Sequence, residues 1–279
     1  MQLRLPLELL EALRRPEFSP LPLSPDPEIT EMDIHMRRLS AAYDGLRIIQ
    51  LTDIHHSLYT PLEDVERAVR ITNRLQPDVV ALTGDYVTFS PSYIWPVAKV
   101  LGGLQARLGV FAVLGNHDFQ VDADEMTRAL KAQRIHVLRN SHFGLHSGHA
   151  RLWMVGIDDL WWDADDLGAG MRNIPARDPK ILLCHNPVGV RMAAEHHIDL
   201  VLSGHTHGGQ VRLPVVGAFY TRSKLGRRFI SGWNRLDGTQ IYVSRGIGKV
   251  LLPVRVGCPP EIACLNLRSG TREKPAEIY

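Results

Sequence analysis

Five short segments of this chain concentrate residue types that bind metal ions: Asp53-Ile54-His55, Gly84-Asp85, Gly115-Asn116-His117-Asp118, His185, and Gly204-His205-Thr206-His207. They supply the carboxylates of Asp53 and Asp85, the amide oxygen of Asn116 and the imidazoles of His55, His185, His205 and His207, with His117 left over. This mixture of nitrogen and oxygen donors suits Mn²⁺, iron (Fe²⁺/Fe³⁺) or Zn²⁺ better than Ca²⁺. Two such ions about 3.5–4 Å apart can clamp the attacking and leaving oxygens of a displacement and make hydroxide available near neutral pH. A dinuclear centre of that kind points to hydrolysis, with a phosphate ester as the leading substrate class. Asp53 and His55 are one residue apart, as are His205 and His207, so an extended backbone would aim both members of each pair the same way. Gly84, Gly115 and Gly204 precede candidate ligands and allow positive φ in tight turns. Gly208 and Gly209 would let a phosphate approach the backbone.

The elements that must position these groups can be read from hydrophobic runs. Arg47–Leu51 reads as a strand running into Asp53, Val79–Thr83 as one ending at Gly84-Asp85, and Val110–Leu114 as one ending at Gly115-Asn116. Ile181–Cys184 leads to His185 and Leu200–Leu202 to Gly204-His205. Each motif therefore follows a strand directly, and sites in α/β folds collect at the carboxyl ends of strands. Between them, Thr60-Pro61-Leu62-Glu63 predicts a helix start with Thr60 as cap and Glu63 completing a capping box. Ser92–Gln105 reads as helical, and Asp122 or Asp124 caps the next helix. The histidines of Ser141–His149 fall in a hairpin turn, and His196-His197 close a helix.

Composition narrows the class further. The 279 residues, 44% hydrophobic, suffice for one sizeable core. The predicted organisation is an N-terminal arm over residues 1–28, with a short leucine-bearing helix and the five prolines Pro16, Pro20, Pro22, Pro25 and Pro27, followed by a single domain over 29–279. A net charge of +2 is not that of a dedicated nucleic-acid binder. Three cysteines in so long a chain argue against a disulfide framework and suit a reducing, cytoplasmic location. No run is long enough to span a membrane. Leu7, Leu10 and Leu13 could pack on the domain or make a weak peripheral attachment to a membrane surface.

The ordered motif set resembles the calcineurin-like metallophosphoesterases over about residues 29–268. The string Gly204-His205-Thr206-His207-Gly208-Gly209-Gln210 is similar to the bacterial YkuE/YaeI-type branch, as are Ser244-Arg245-Gly246-Ile247-Gly248, Pro253-Val254-Arg255 and Cys258-Pro259-Pro260-Glu261-Ile262. The resemblance implies an α/β fold, a four-layer α/β/β/α sandwich with two mixed sheets. It implies that Asp53, His55 and His207 hold a first divalent ion, that Asn116, His185 and His205 hold a second, and that Asp85 bridges them. It implies attack by a metal-bridging hydroxide, with His117 as electrostatic stabiliser or general acid and Asp118 orienting its loop. Two departures stand out. The Asp-Arg-Gly that follows Gly-Asp in the phosphoprotein phosphatases is absent here, where the chain reads Gly84-Asp85-Tyr86-Val87-Thr88-Phe89-Ser90, which disfavours phosphoprotein substrates and leaves the partner of His117 unassigned. His56 stands where the branch usually has an apolar residue, and is expected on the pocket rim.

The expected activity is phosphodiester or pyrophosphate hydrolysis on a small-molecule or lipid-linked phosphate ester. A runner-up is a UDP-diacylglucosamine pyrophosphate hydrolase of lipid A synthesis; a rival of another class is a non-catalytic adaptor with this fold. Trp161 and Trp162 are candidates for an apolar wall against an aromatic or acyl group. Arg222, with Lys224, Arg227 and Arg228, and separately Arg245, are candidates for a second phosphate or an anionic lipid.

Overall fold

The computed structural model describes residues 25–213, 217–218 and 225–271. The leucine-bearing segment and most of the proline-rich arm, up to residue 24, lie outside the described residues, as do Arg222 and Lys224.

Two six-stranded mixed sheets form the centre. The first contains β1 (Glu28–Met36), β2 (Arg47–Leu51), β3 (Val79–Leu82), β4 (Gly109–Ala112), β5 (His136–Val137) and β14 (Glu261–Ser269) in the order β1-β14-β2-β3-β4-β5. The second contains β6 (Ser141–Ser147), β7 (Ala150–Gly156), β8 (Lys180–Leu183), β9 (Leu200–Ser203), β12 (Gly232–Leu236) and β13 (Thr239–Val243) in the order β12-β13-β9-β8-β7-β6. A separate ribbon joins β10 (Arg212–Leu213) to β11 (Gly217–Ala218). In the first sheet β2, β3, β4 and β5 are parallel while β14 is antiparallel to β2; in the second, β7, β8, β9 and β13 are parallel and β6 and β12 are antiparallel edges.

Strand periodicity of two explains the layers. Ile48, Val79, Ala81 and Phe111 from the first sheet meet Leu152, Met154, Ile181, Leu183 and Leu202 from the second in one buried layer. Their neighbours point outward. Ile49, Leu51, Val80 and Leu82 pack under α1 (Leu62–Arg74), α2 (Ile94–Leu101) and α4 (Ala123–Ala132), which contribute Val65, Val97 and Met126 among others. On the far side Leu182, Val201 and Ile241 pack against Leu167 of α5 (Leu167–Gly170) and Val190 and Ala193 of α6 (Val190–Glu195). The result is the α/β/β/α sandwich. Strands buried on both faces have near-continuous apolar sequences, which is why β3, β8 and β9 are legible.

Two local expectations are corrected, and the Asp122 cap is found where expected. Thr60 does not cap α1: Pro61 precedes the helix without a side-chain bond, while the Thr60 hydroxyl accepts from Lys249 N at 3.2 Å. The helix expected over Ser92–Gln105 is a 3-10 turn, Pro91–Tyr93, followed by α2, which stops before the Gly102-Gly103 pair. A short helix, α3 (Asn116–Val121), begins inside the third motif, and Asp122 then caps α4 by accepting from Glu125 N at 2.8 Å.

The two sheets are tied beneath the site by polar groups. Gln50 of β2 donates through Nε2 to Thr83 Oγ1 and to Ser203 O of β9, both at 2.9 Å. Tyr242 of β13 donates to Glu261 Oε1 of β14 at 2.6 Å.

Candidate metal centre

The loops leaving the parallel strands stay paired beyond the strands themselves. Asp53 N donates to Gly84 O at 2.9 Å, His55 N to Asp85 O at 3.0 Å and Gly204 N to His185 O at 3.0 Å. Adjacent motifs are therefore held in register at one edge of the sandwich. The first sheet brings Asp53, His55, Asp85 and Asn116; the second brings His185, His205 and His207.

The side chains converge in two groups sharing one carboxylate. His207 Nε2 lies 3.2 Å from Asp53 Oδ1 and 3.0 Å from His55 Nε2. His185 Nε2 lies 3.1 Å from Asp85 Oδ2 and 3.3 Å from His205 Nδ1. Asp85 Oδ2 also lies 3.5 Å from His55 Nε2, so it faces both groups. Metal–ligand distances of about 2.0–2.2 Å place neighbouring tetrahedral ligands roughly 3.3–3.6 Å apart, close to the separations seen. Asn116 adds an oxygen, and its Oδ1 is buried with no hydrogen-bond partner, as an oxygen reserved for a cation would be. The residues present fit two divalent ions.

Electrostatics agree. Burial opposes charge on Asp53, yet His207, His55 and His185 outweigh it and hold this carboxyl well below the usual range. Burial likewise raises Asp85, and His185, His117 and His55 more than reverse it. For His185 burial favours the neutral ring, but Asp85, then Asp53 and Asp159, drive it up to about 10. His207 is pushed down by burial, with His55 and Arg255 contributing.

Supporting bonds aim the ligands. His55 Nδ1 meets Thr88 Oγ1 at 2.9 Å and His185 Nδ1 donates to Thr83 O at 2.8 Å, turning both Nε2 atoms inward. Asp118 bonds to its own loop and to the neighbouring one: its carboxylate accepts from Gly115 N at 2.9 Å, Asp85 N at 2.8 Å and Tyr86 N at 2.9 Å. Burial, then the nearby Asp85 charge, pushes its carboxyl up to about 7. His117 N donates to Asp85 Oδ1 at 2.8 Å, and its half-buried ring lies edge-on to His55 with centroids 4.9 Å apart.

The backbone corrects the picture of extended pairs. Asp53, His55, Asp85, His205 and His207 are themselves left-handed, with φ of 49°, 50°, 59°, 71° and 52°. Gly115 and Gly204 are not; they are needed because a Cβ would collide with Asp85 Oδ1 at the first and with Asp53 Oδ2 and Thr52 Oγ1 at the second. The space beside Gly208 is not open to a phosphate, since Arg245 Cγ and Cys258 Sγ would lie 2.7 and 2.8 Å from its missing Cβ.

Several candidates are placed differently from expectation. His56 is buried, with Nδ1 donating to Thr60 O at 3.0 Å and its ring against Tyr93, rather than solvated on the rim. Arg245 directs its guanidinium to Glu28 at 2.9 Å and Glu261 at 3.3 Å rather than into the centre. Trp161 is 55% exposed with its ring 5.9 Å from that of His205. Trp162 donates from Nε1 to Asn116 O at 3.1 Å. Arg255, in the branch-like Pro253-Val254-Arg255, had no role assigned from the sequence; it donates to Gly248 O at 2.9 Å and Arg245 O at 2.8 Å and reaches His207 Nδ1 at 3.4 Å. Asp159 had none either; its Oδ1 accepts from Trp161 N at 2.9 Å and fixes the tryptophan turn. The burial of Asp159 carried no local signal.

Comparison with known proteins follows the same lines. The model of the family described as Calcineurin-like phosphoesterase matches residues 46–209. The metallophosphoesterase YkuE of Bacillus subtilis (strain 168) is 32% identical over 246 residues, covering 87% of this chain and 86% of its own. The phosphodiesterase YaeI of Escherichia coli (strain K12) is 33% identical over 229 residues, covering 79% and 82%. The solved structure of NAD nucleotidase (NadN) from Haemophilus influenzae shares the fold, with a TM-score of 0.50, 16% identity and coverage of 73% of this chain and 50% of that one.

Proposed function

The chain belongs to the calcineurin-like phosphoesterase family, and on that premise we propose that it is a dinuclear metal-dependent phosphodiesterase acting on small phosphodiesters or pyrophosphates. Asp53, His55 and His207 would hold one ion, Asn116, His185 and His205 the other, and Asp85 stands where it could serve both. The observation that carries this reading is the position of Asp85 Oδ2, 3.5 Å from His55 Nε2 and 3.1 Å from His185 Nε2.

Two divalent ions bound there would supply Lewis-acid charge for the phosphate and a water acidic enough to react at neutral pH. The chain's own residues do the rest. Asp118 fixes the two loops that carry Asp85 and Asn116. His117, tied through its backbone to Asp85, presents an imidazole to stabilise charge on the phosphoryl oxygens or give a proton to the leaving oxygen. Trp161 provides an apolar wall beside His205 for an aryl or similarly flat leaving group. Thr88 holds His55, and the absence of an Asp-Arg-Gly after Gly84-Asp85 supports a diester over a phosphoprotein substrate.

Metal content and turnover of an aryl phosphodiester test the proposal together. The wild-type chain should retain two ions of Mn²⁺, Fe or Zn²⁺ after gel filtration, and Asp85→Asn at most one, with turnover lost. A wild-type chain that retains only one ion would sink the dinuclear reading, as would an Asp85→Asn chain that keeps two and turns over normally.

A further inference from the structure

The segment following Gly248 displays a row of aliphatic side chains to water. Leu251, Leu252, Val254 and Val256 are 43%, 54%, 48% and 45% exposed. Such a run in one loop is an interaction surface more often than an accident. The loop is also pinned from below. Buried Gln210 donates from Nε2 to Val250 O at 2.9 Å and Leu252 O at 3.0 Å, and its Oε1 accepts from Val250 N at 2.9 Å. Val256 N donates to Gln210 O at 3.0 Å, and Arg255 turns inward from between the two valines to Gly248 O and Arg245 O. Leu251 is held at φ 62°, a conformation rare for leucine. The backbone is therefore fixed so that Arg255 points in while Leu251, Leu252, Val254 and Val256 point out.

Positive charge adjoins this tip. Arg212 N donates to Val256 O at 2.7 Å, and the Arg212 guanidinium lies 2.6 Å from Ser231 Oγ. Arg212, Arg227, Ile230 and Ser231 line a cleft of about 260 Å³, large enough for a phosphate headgroup, and exposed Arg228 follows. Aliphatic side chains beside arginines complement an anionic bilayer, whose acyl boundary takes the first and whose headgroup phosphates take the second. We infer that the loop over residues 250–256, with the Arg212–Arg227 cleft, docks this protein on the surface of an anionic lipid bilayer. No helix among the described residues is long and apolar enough to cross a membrane. The same loop bears Arg255, which holds His207, so docking would set the metal centre close to the lipid headgroups. The inference does not depend on the assigned reaction.

Flotation with vesicles tests it. The full-length protein should float with vesicles of phosphatidylcholine mixed with phosphatidylglycerol, and less so at high salt, because surface charge attraction is screened. It should bind pure phosphatidylcholine weakly. Leu252→Glu with Val254→Glu should lower partitioning by about tenfold or more, since each buried methylene contributes to membrane affinity. Arg227→Glu with Arg228→Glu should abolish the preference for the anionic lipid. Soluble aryl phosphodiester turnover and circular dichroism of the leucine–valine variant should match wild type, which separates lost docking from misfolding. The inference is overturned if wild type does not float with the mixed vesicles, or if the leucine–valine variant floats equally well. It is also overturned if wild type is a dimer that this variant converts to a monomer, because a second copy would then be what covers the loop.

Discussion

At the scale of single residues, the roles of His117 and the metal ligands separate by what each touches. His117 is tied to Asp85 through its backbone N–H, so its ring can be removed while the ligand loops keep their bonds. His117→Ala should lower kcat by about 10²–10⁴-fold, the range for loss of a positioned proton donor or acceptor, with metal content unchanged. An unchanged kcat would remove His117 from the chemistry; lost metal would make it a ligand. The five left-handed ligand residues carry a second restriction. Asp, Asn and His are the non-glycine types that tolerate this backbone best, and they are also the types used as ligands here. Glutamate and cysteine bind the same metals but lack that tolerance, so few residue types are open to these positions.

At the scale of elements, the strand ends act as jigs, and their spacing depends on two missing side chains. A Cβ on Gly204 would meet the Asp53 carboxylate, which also accepts from His205 N at 3.0 Å. Gly204→Ala should therefore displace Asp53 and reduce metal retention by an order of magnitude or more, with a loss of stability of about 1–3 kcal/mol from overpacking. Thermal unfolding with and without added Mn²⁺ measures both; a variant as metal-responsive as wild type would show that the loop can yield. The strands themselves were legible because both their faces are buried, so apolar runs such as Val79–Leu82 and Leu200–Ser203 end where the motifs begin. The grouping of Asp53, His55, Asp85, His185, His205 and His207 was legible for the same reason. Less could be read where a polar residue had two options. Thr60 matches a helix cap by local pattern, but Lys249, distant in sequence, takes its hydroxyl. His56 carries a polar side chain that the tertiary structure buries, and no neighbour in sequence announces its partner. The left-handed ligands were illegible because strand-end loops were taken as extended.

At the scale of the molecule, the two sheets are joined by buried polar ties as well as by the central apolar layer. Glu261 shows how this makes the fold sensitive to acid. Burial raises its carboxyl, but bonds from Tyr242 and from Arg245 N, with the Arg245 charge, outweigh that and leave it below the ordinary glutamate value. The folded form therefore binds this proton more weakly than the unfolded chain. Its contribution is fully present above the unfolded value of about 4.3 and is lost as pH falls through the folded one. Glu261→Gln should lower stability near neutral pH and flatten the acid limb of a stability–pH curve; an equally steep limb would place the sensitivity elsewhere. The division of ligands between the sheets has a consequence in time. Asp53, His55, Asp85 and Asn116 emerge first during synthesis, while His185, His205 and His207 come from the later half of the chain. Neither half holds a complete coordination shell. With the proposed ligands, metal uptake would be a late event, open only to chains whose two halves have already docked, and a loaded centre would mark a finished fold.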